Sequence, residues 1–263
     1  MKLNQSLLAL ALAALAFNAQ AHRPWMLPSA TLVEAKDPWV TVDAAISENL
    51  FDIDHLPLKL DALEITGPNG ARVAPEHVAV GRLRSTFDVK LAQPGTYKAS
   101  IVALNVMASY QLNGEPKRWR GSEADFAKEI PAAAQDVKAT RTHSRLETFF
   151  SSATTSDAVF KASGVGLELV PVSHPNDLRA GEKATWRFLI DGKAAPNQAF
   201  SLVPGGVRYR GVLGEIRHST DANGEISFVL PAPGMYLLSS SWPAAAQPAR
   251  RATYAATLEV LPQ

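Results

Sequence analysis

One local pattern occurs twice in this chain and restricts its fold more than any other feature. Phe87-Asp88-Val89-Lys90-Leu91 leads to Pro94-Gly95-Thr96-Tyr97, and Ile226-Ser227-Phe228-Val229-Leu230 leads, at the same spacing, to Pro233-Gly234-Met235-Tyr236. In each copy an alternating strand meets a Pro-Gly turn and a tyrosine that opens the next strand. Immunoglobulin-like sandwiches use such a tyrosine corner, in which the phenol hydroxyl bonds back to the backbone. Other strand-like runs surround both copies. Trp39–Ala44, Leu58–Ile65 and Thr96–Val102 lie in the first half, and Gly166–Val172, Lys183–Ile190, Gly224–Leu230, Met235–Ser240 and Ala255–Val260 in the second. Turn residues bound them, as in Gly67-Pro68-Asn69-Gly70.

The expected fold is therefore all-β: two tandem immunoglobulin-like β-sandwich modules with one short helix inserted late in the first. Ser122 reads as the N-cap of that helix, with Glu123 and Asp125 in its first turn, and Pro131 stops it. Gln135–Phe150 reads as a long strand closing the first sandwich. The modules are expected at 22–164 and 165–263, with the boundary at Ser163-Gly164-Val165-Gly166. Asp221-Ala222-Asn223-Gly224 reads as a hairpin turn, because Asn-Gly tolerates positive φ. A calcium loop starting there fails, since its twelfth position is Ala232.

Residues 1–21 have the form of a secretory signal. Lys2 supplies the positive start, Leu7–Phe17 is an 11-residue apolar run, and Ala19-Gln20-Ala21 is a small-x-small cleavage site. A membrane span needs about 20 apolar residues, so no span is expected after cleavage. The sequence carries 26 Lys and Arg against 25 Asp and Glu, and cleavage removes Lys2 alone. That balance excludes a strongly basic nucleic-acid binder. With no cysteine, disulfides, thiolate metal sites and cysteine nucleophiles are excluded as well. A neutral, cysteine-free exported chain is expected in the periplasm.

Cleavage after Ala21 makes His22 the mature N-terminus. A terminal histidine is a chelator, because its α-amine and imidazole Nδ1 together grip one metal ion, and amine deprotonation costs little near neutrality. Enzyme templates are missing: the sequence has no Gly-x-Ser-x-Gly, His-Glu-x-x-His, phosphate loop or dinucleotide fingerprint. Asp52 and Asp54 alternate on a loop and read as a solvated face. Gly205-Gly206 reads as a turn with no helix behind it. His55, in the polar loop Glu48-Asn49-Leu50-Phe51-Asp52-Ile53-Asp54-His55, is the second candidate ligand, because neighbouring carboxylates orient an imidazole. His174 lies in another loop. His143 stands between Arg141 and Arg145, which disfavour a metal cation, and His77 and His218 have no such context. Lys117-Arg118-Trp119-Arg120 reads as an exposed hairpin whose arginine stems cover Trp119.

The mature start His22-Arg23-Pro24-Trp25-Met26-Leu27-Pro28 resembles the opening of a bacterial exported family described as periplasmic nickel or cobalt transport components. The resemblance continues through Gly166–Pro171, Ala180-Gly181-Glu182, Leu189–Lys193 and Thr220–Glu225 to the second Pro-Gly corner. It implies a domain of loosely defined function associated with metal uptake across the envelope, and it carries over only His22 as a ligand.

Three functional expectations follow. The first is a soluble periplasmic protein that binds a divalent transition metal (Ni, Co or Cu) through His22 and His55, with a carboxylate or water completing the shell. All-nitrogen ligation without thiolate suits these ions better than Cu(I). The second is an envelope adaptor for an outer-membrane receptor or inner-membrane permease, without metal. The third is a copper oxidoreductase built on a histidine brace.

Overall fold

The computed structural model describes residues 22–243 and 249–263; the expected signal segment lies outside them. The first ten strands are β1 (Arg23–Pro28), β2 (Leu32–Val33), β3 (Trp39–Ser47), β4 (Leu56–Pro57), β5 (Leu63–Thr66), β6 (Arg72–Val73), β7 (Glu76–Val80), β8 (Ser85–Lys90), β9 (Gly95–Leu112) and β10 (Glu115–Gly121). Helix α1 (Glu123–Glu129) follows, then β11 (Gln135–Ser152), β12 (Leu167–Pro171), β13 (Leu178–Arg179), β14 (Lys183–Ile190), β15 (Lys193–Ala194) and β16 (Ala199–Pro204). A helical turn, α2 (Val207–Arg210), precedes β17 (Ile216–Ser219), β18 (Glu225–Val229), β19 (Gly234–Trp242) and β20 (Arg250–Leu261).

Among the described residues these strands form three sheets, and the fold is the all-β sandwich expected. An 11-stranded sheet is ordered β17-β16-β19-β20-β11-β9-β5-β6, with β10, β13 and β2 attached. One covering sheet contains β1, β3, β4, β7 and β8, the other β12, β14, β15 and β18. The large sheet thus serves both halves of the chain, joined where β11 and β20 run parallel from Arg141↔Arg250 to Thr148↔Thr257.

Side-chain alternation assigns the covers to opposite faces of that sheet. On β11, Leu146 and Phe150 enter the first core with Val42, Phe87 and Tyr97, whereas Phe149 enters the second with Trp186, Phe188 and Tyr254. Ala255 on β20 reaches the first core, while Ala252, Tyr254, Ala256 and Leu258 line the second. Between them a third cluster packs Trp25, Ala45 and Leu50 against Val203, Val207 and Leu237.

A buried charge network ties the link between the halves to the shared sheet. Arg145 meets Glu147 at 3.4 Å and Glu168 at 3.3 Å, and donates to Ser163 Oγ and the Val165 carbonyl. Glu168 accepts from the Ser163 and Gly164 backbone, and Tyr254 donates to Glu147 at 2.8 Å. Buried charges persist when paired, as these are, although Arg145 Nε is left buried without a hydrogen-bond partner.

Both tyrosine corners form. Tyr97 Oη donates to the Gln93 carbonyl (3.0 Å) and accepts from the Gln93 N–H (2.8 Å), and Tyr236 Oη donates to the Ala232 carbonyl (2.9 Å). Gly95 adopts φ 121°, and a Cβ there would stand 2.7 Å from Pro68 Cβ, so the first corner requires glycine. Helix α1 begins at Ser122, whose hydroxyl accepts from the Asp125 N–H, and ends at Ile130, before Pro131. It lays Phe126 on Trp119 (5.4 Å between centroids), and Glu129 accepts from the Trp119 indole, so the helix is what covers that aromatic.

Three local readings need correction. Leu58–Ile65 is not one strand: β4 and β5 belong to different sheets, because the chain crosses the sandwich here and buries Leu58 and Leu63 in the same core from its two sides. Asp221–Gly224 is tight, with Asp221 Oδ1 accepting from the Asn223 and Glu225 N–H groups, yet it is no hairpin. Its flanking strands β17 and β18 lie in different sheets, since Phe228 must turn into the second core. A helical turn, α2, does follow Gly206, because the left-handed φ of 77° there redirects the chain so that Val207 enters the third cluster.

The corners differ in bonding, which sets an expected order of stability. Tyr236→Phe removes one hydrogen bond and should cost about 1 kcal/mol, whereas Tyr97→Phe removes two and should cost about 2 kcal/mol. Urea titration of the single variants tests this; equal costs would contradict the bonding described.

Candidate metal centre

Strand β3 gathers the site. Its C-terminal end is paired on one edge by β1 (Arg23↔Ser47) and on the other by β4 (Ile46↔Leu56). Continuing these registers places His22, just before β1, opposite Glu48, just after β3, with His55 immediately before β4. His22, Glu48 and His55 accordingly each offer one ligand atom within 4.8 Å of the others. His22 Nε2 is 3.4 Å from Glu48 Oε1, and the two imidazoles stack with centroids 3.9 Å apart and planes at 13°.

The site is open. The His22 and Glu48 side chains are 45% and 61% exposed, and His55 is half-buried. Two imidazoles and a carboxylate form a donor set for a borderline divalent ion. Imidazole lone pairs lie in the ring plane, so rings stacked face to face point their nitrogens side by side. Coordination by both requires at least one ring to rotate, and His22, exposed and preceding the first strand, has the freedom to do so. A terminal amine chelate would use His22 Nδ1, so the same rotation would exchange the edge that now faces Glu48.

The loop carrying Glu48 and His55 is fixed from within and below. Asp54 accepts from the Glu48 N–H (3.0 Å), the Asn49 N–H (3.0 Å) and Asn49 Nδ2 (3.2 Å). Slight burial acts to raise its pKa, but these bonds outweigh it and hold the carboxyl below the ordinary range. Beneath the loop, Trp25 donates to Ser47 Oγ at 2.7 Å and meets Phe51 edge-on at 5.6 Å. Phe51 itself packs on Gly205, where a Cβ would lie 2.9 Å from its ring. Arg208 of α2 faces Asp52 at 3.9 Å. The second half of the chain therefore buttresses a loop belonging to the first.

Residues 19–244 match the family described as a domain of unknown function, DUF4198. The chain belongs to the DUF4198 family. Among curated proteins none matches it. Of solved structures, the D0-D1 domain of intimin aligns at 13% identity with a TM-score of 0.23, covering 90% of this chain and 97% of that one. A DUF4785 family protein from Legionella pneumophila aligns at 9% identity and a TM-score of 0.24, covering 82% and 52% respectively. The ICAM-5 D1-D4 ectodomain fragment aligns at 9% and 0.22, covering 91% and 51%. At these scores none bears on function. No helix among the described residues is long and apolar enough to cross a membrane.

The remaining histidines of this DUF4198 chain lie outside the cluster, and the buried Nδ1 of His143 has no hydrogen-bond partner. His174 Nδ1 accepts from the Asn176 N–H (3.1 Å) and Nε2 pairs with Thr96 Oγ1 (2.9 Å), which commits both ring nitrogens to holding a loop. Burial, opposed by a backbone bond and nearby acids, pushes its pKa down. His143 is pushed down by burial and then by Arg145, its neighbour in sequence, and by Arg250, which β20 brings alongside β11. His77 pairs with Asp88 at 2.9 Å, and His218 packs on Phe200 and Phe228 at 5.9 Å. Sequence reasoning left the carboxylate ligand unnamed; Glu48 joins through strand pairing between β1 and β3. It also read Asp54 as a solvated acid, where the structure makes it the clamp of the loop.

The depressed Asp54 carboxyl gives a signed expectation. Its stabilising contribution is complete above the unfolded-state pKa and is lost as pH falls through the lower folded-state value. Wild type should therefore be more stable than Asp54→Asn at neutral pH, with the gap closing on acidification. Urea midpoints measured across that range would reject the clamp if the gap were constant.

Proposed function

We propose that this protein binds a divalent transition metal ion (nickel, cobalt or copper) at His22, Glu48 and His55 in the periplasm, and hands it on for uptake. The observation that carries this reading is the convergence of the two histidines on one carboxylate from three separate strand ends. Oxygen and nitrogen donors without thiolate favour Cu(II), Ni(II) or Co(II), with copper tightest in solution whichever ion is the physiological cargo. Openness supports transfer, because an ion held at the surface by few ligands can be passed to another ligand set without unfolding its carrier. An outer-membrane receptor or inner-membrane permease is the partner such a carrier would need.

A second reading is favoured by one detail. His22, the residue following the expected cleavage site, is one of the two clustered histidines, and amine plus two imidazoles is the donor set of a copper histidine brace. Copper-loaded protein given oxygen and a reductant would then release peroxide or cleave a polymer; a carrier would do neither beyond free copper.

Calorimetry on the mature chain beginning at His22 tests metal binding. His22→Ala and His55→Ala should each weaken binding by at least about tenfold, or 1.4 kcal/mol, and Glu48→Ala by less. One extra residue before His22 converts the α-amine to an amide and should cost about tenfold where the amine is a ligand. Affinity should fall with acidification, because metal and protons compete for the same nitrogens, and His55→Ala should flatten that dependence. A silent titration with all three ions would leave the metal-free adaptor as the better account.

A further inference from the structure

Among the described residues the large sheet presents a groove beside the first cover, where hydroxyls and cations are set in a mostly apolar surface. Its volume is about 1560 Å³, above the roughly 300–1,000 Å³ of a site for one small molecule. The floor is the sheet face that carries Val203 and Leu237 under Trp25, continued past the edge of the cover by side chains of the same parity. Registers align these across the strands. Ser144 on β11 pairs with Thr253 on β20, which pairs with Ser241 on β19. In the adjacent row Ser239 on β19 pairs with Ser201 on β16, the hydroxyls 3.0 Å apart, and Ser201 pairs with Arg217 on β17. Ser219 closes the far end. The floor thus carries hydroxyls in rows across the strands at a spacing of about 4.8 Å, with Leu146 and Ala255 continuing the second row as an apolar stretch.

Cations border it. Lys59, Arg120, Arg217 and Arg251 line the groove against the single acid Asp61, although Arg217 also meets Glu215 at 2.7 Å. One wall carries Pro24 and Leu56-Pro57, so it starts two residues from His22 and one from His55.

We infer that the groove binds a chain of carboxylated sugars, a uronate-type oligosaccharide, laid across the strands. Size calls for an oligomer. The hydroxyl rows both donate and accept, which matches sugar hydroxyls along a chain, while the arginines and Lys59 match its carboxylates. An acidic peptide fits less well: β11, β20, β19 and β16 are paired on both edges, so an added strand could pair only at the rim, on β1, β4, β10 or β17, and not across the floor. The site is independent of the metal reading, though a chain bound in it would run past the wall next to the histidines.

Calorimetry at low ionic strength with a galacturonate oligomer tests it, with a neutral glucose oligomer of equal length and poly-glutamate as comparisons. The galacturonate should bind at least about tenfold tighter than either. Ser241→Trp, which fills the floor, should abolish binding, and the exposed pair Arg120→Glu and Arg217→Glu should weaken it by at least about tenfold should the tryptophan variant misfold. His22→Ala should leave it unchanged, which separates this site from the metal centre. No binding, binding indifferent to both changes, or poly-glutamate binding as tightly would overturn the inference.

Discussion

The parallel pairing of β11 with β20 is the contact on which the other features rest. Eight residues of each strand are in register there, from Arg141↔Arg250 to Thr148↔Thr257. Parallel neighbours cannot be joined by a hairpin, so a crossover must separate them, and here that crossover is most of the second sandwich. Each strand presents alternate side chains to different cores, which makes the sheet a wall common to both. The Arg145–Glu147–Glu168–Tyr254 network sits at this seam and anchors the Ser163–Val165 link to it. Removing one partner would leave a buried charge uncompensated, the costly case for such pairs at about 3–5 kcal/mol.

The His22–Glu48–His55 cluster and the groove are both consequences of the seam. The covers lie on opposite faces of the large sheet, and among the described residues the face beside β1 and β4 forms the groove floor. The same offset lets Val203, Val207 and Leu237 of the second half pack beneath Trp25 and Leu50, so that the loop with Glu48 and His55 rests on a base outside its own sandwich. Rigid support below and open donors above are what the proposed exchange of an ion at this cluster would require.

Much of this was legible in the sequence. Strand alternation, the two Pro-Gly-Tyr corners, the Ser122 cap and the Pro131 stop are local signals, and each formed where local physics places it. His22 was legible as a candidate ligand from its place after the expected cleavage site, and His55 from its acidic loop, and the fold brings the two together. What stayed hidden was long-range. Nothing local says that β11 and β20 pair, and a chain with two corners reads equally well as two separate sandwiches. Nothing in the sequence groups Glu48 with the two histidines until β1 lies against β3. The alternation through Leu58–Ile65 misled because a chain crossing between sheets buries alternate residues much as one strand does. Asp54 reads as solvated acid because its partners are backbone N–H groups, which no sequence pattern displays.

Anomalous diffraction from crystals of the mature protein loaded with Cu(II) or Ni(II) tests the central claim most directly. The account predicts a single strong peak among His22, Glu48 and His55, within about 2.0–2.2 Å of a nitrogen of each imidazole, with the two rings turned out of their stack. A peak elsewhere, or an intact stack beside an ion bound to one histidine alone, would contradict it.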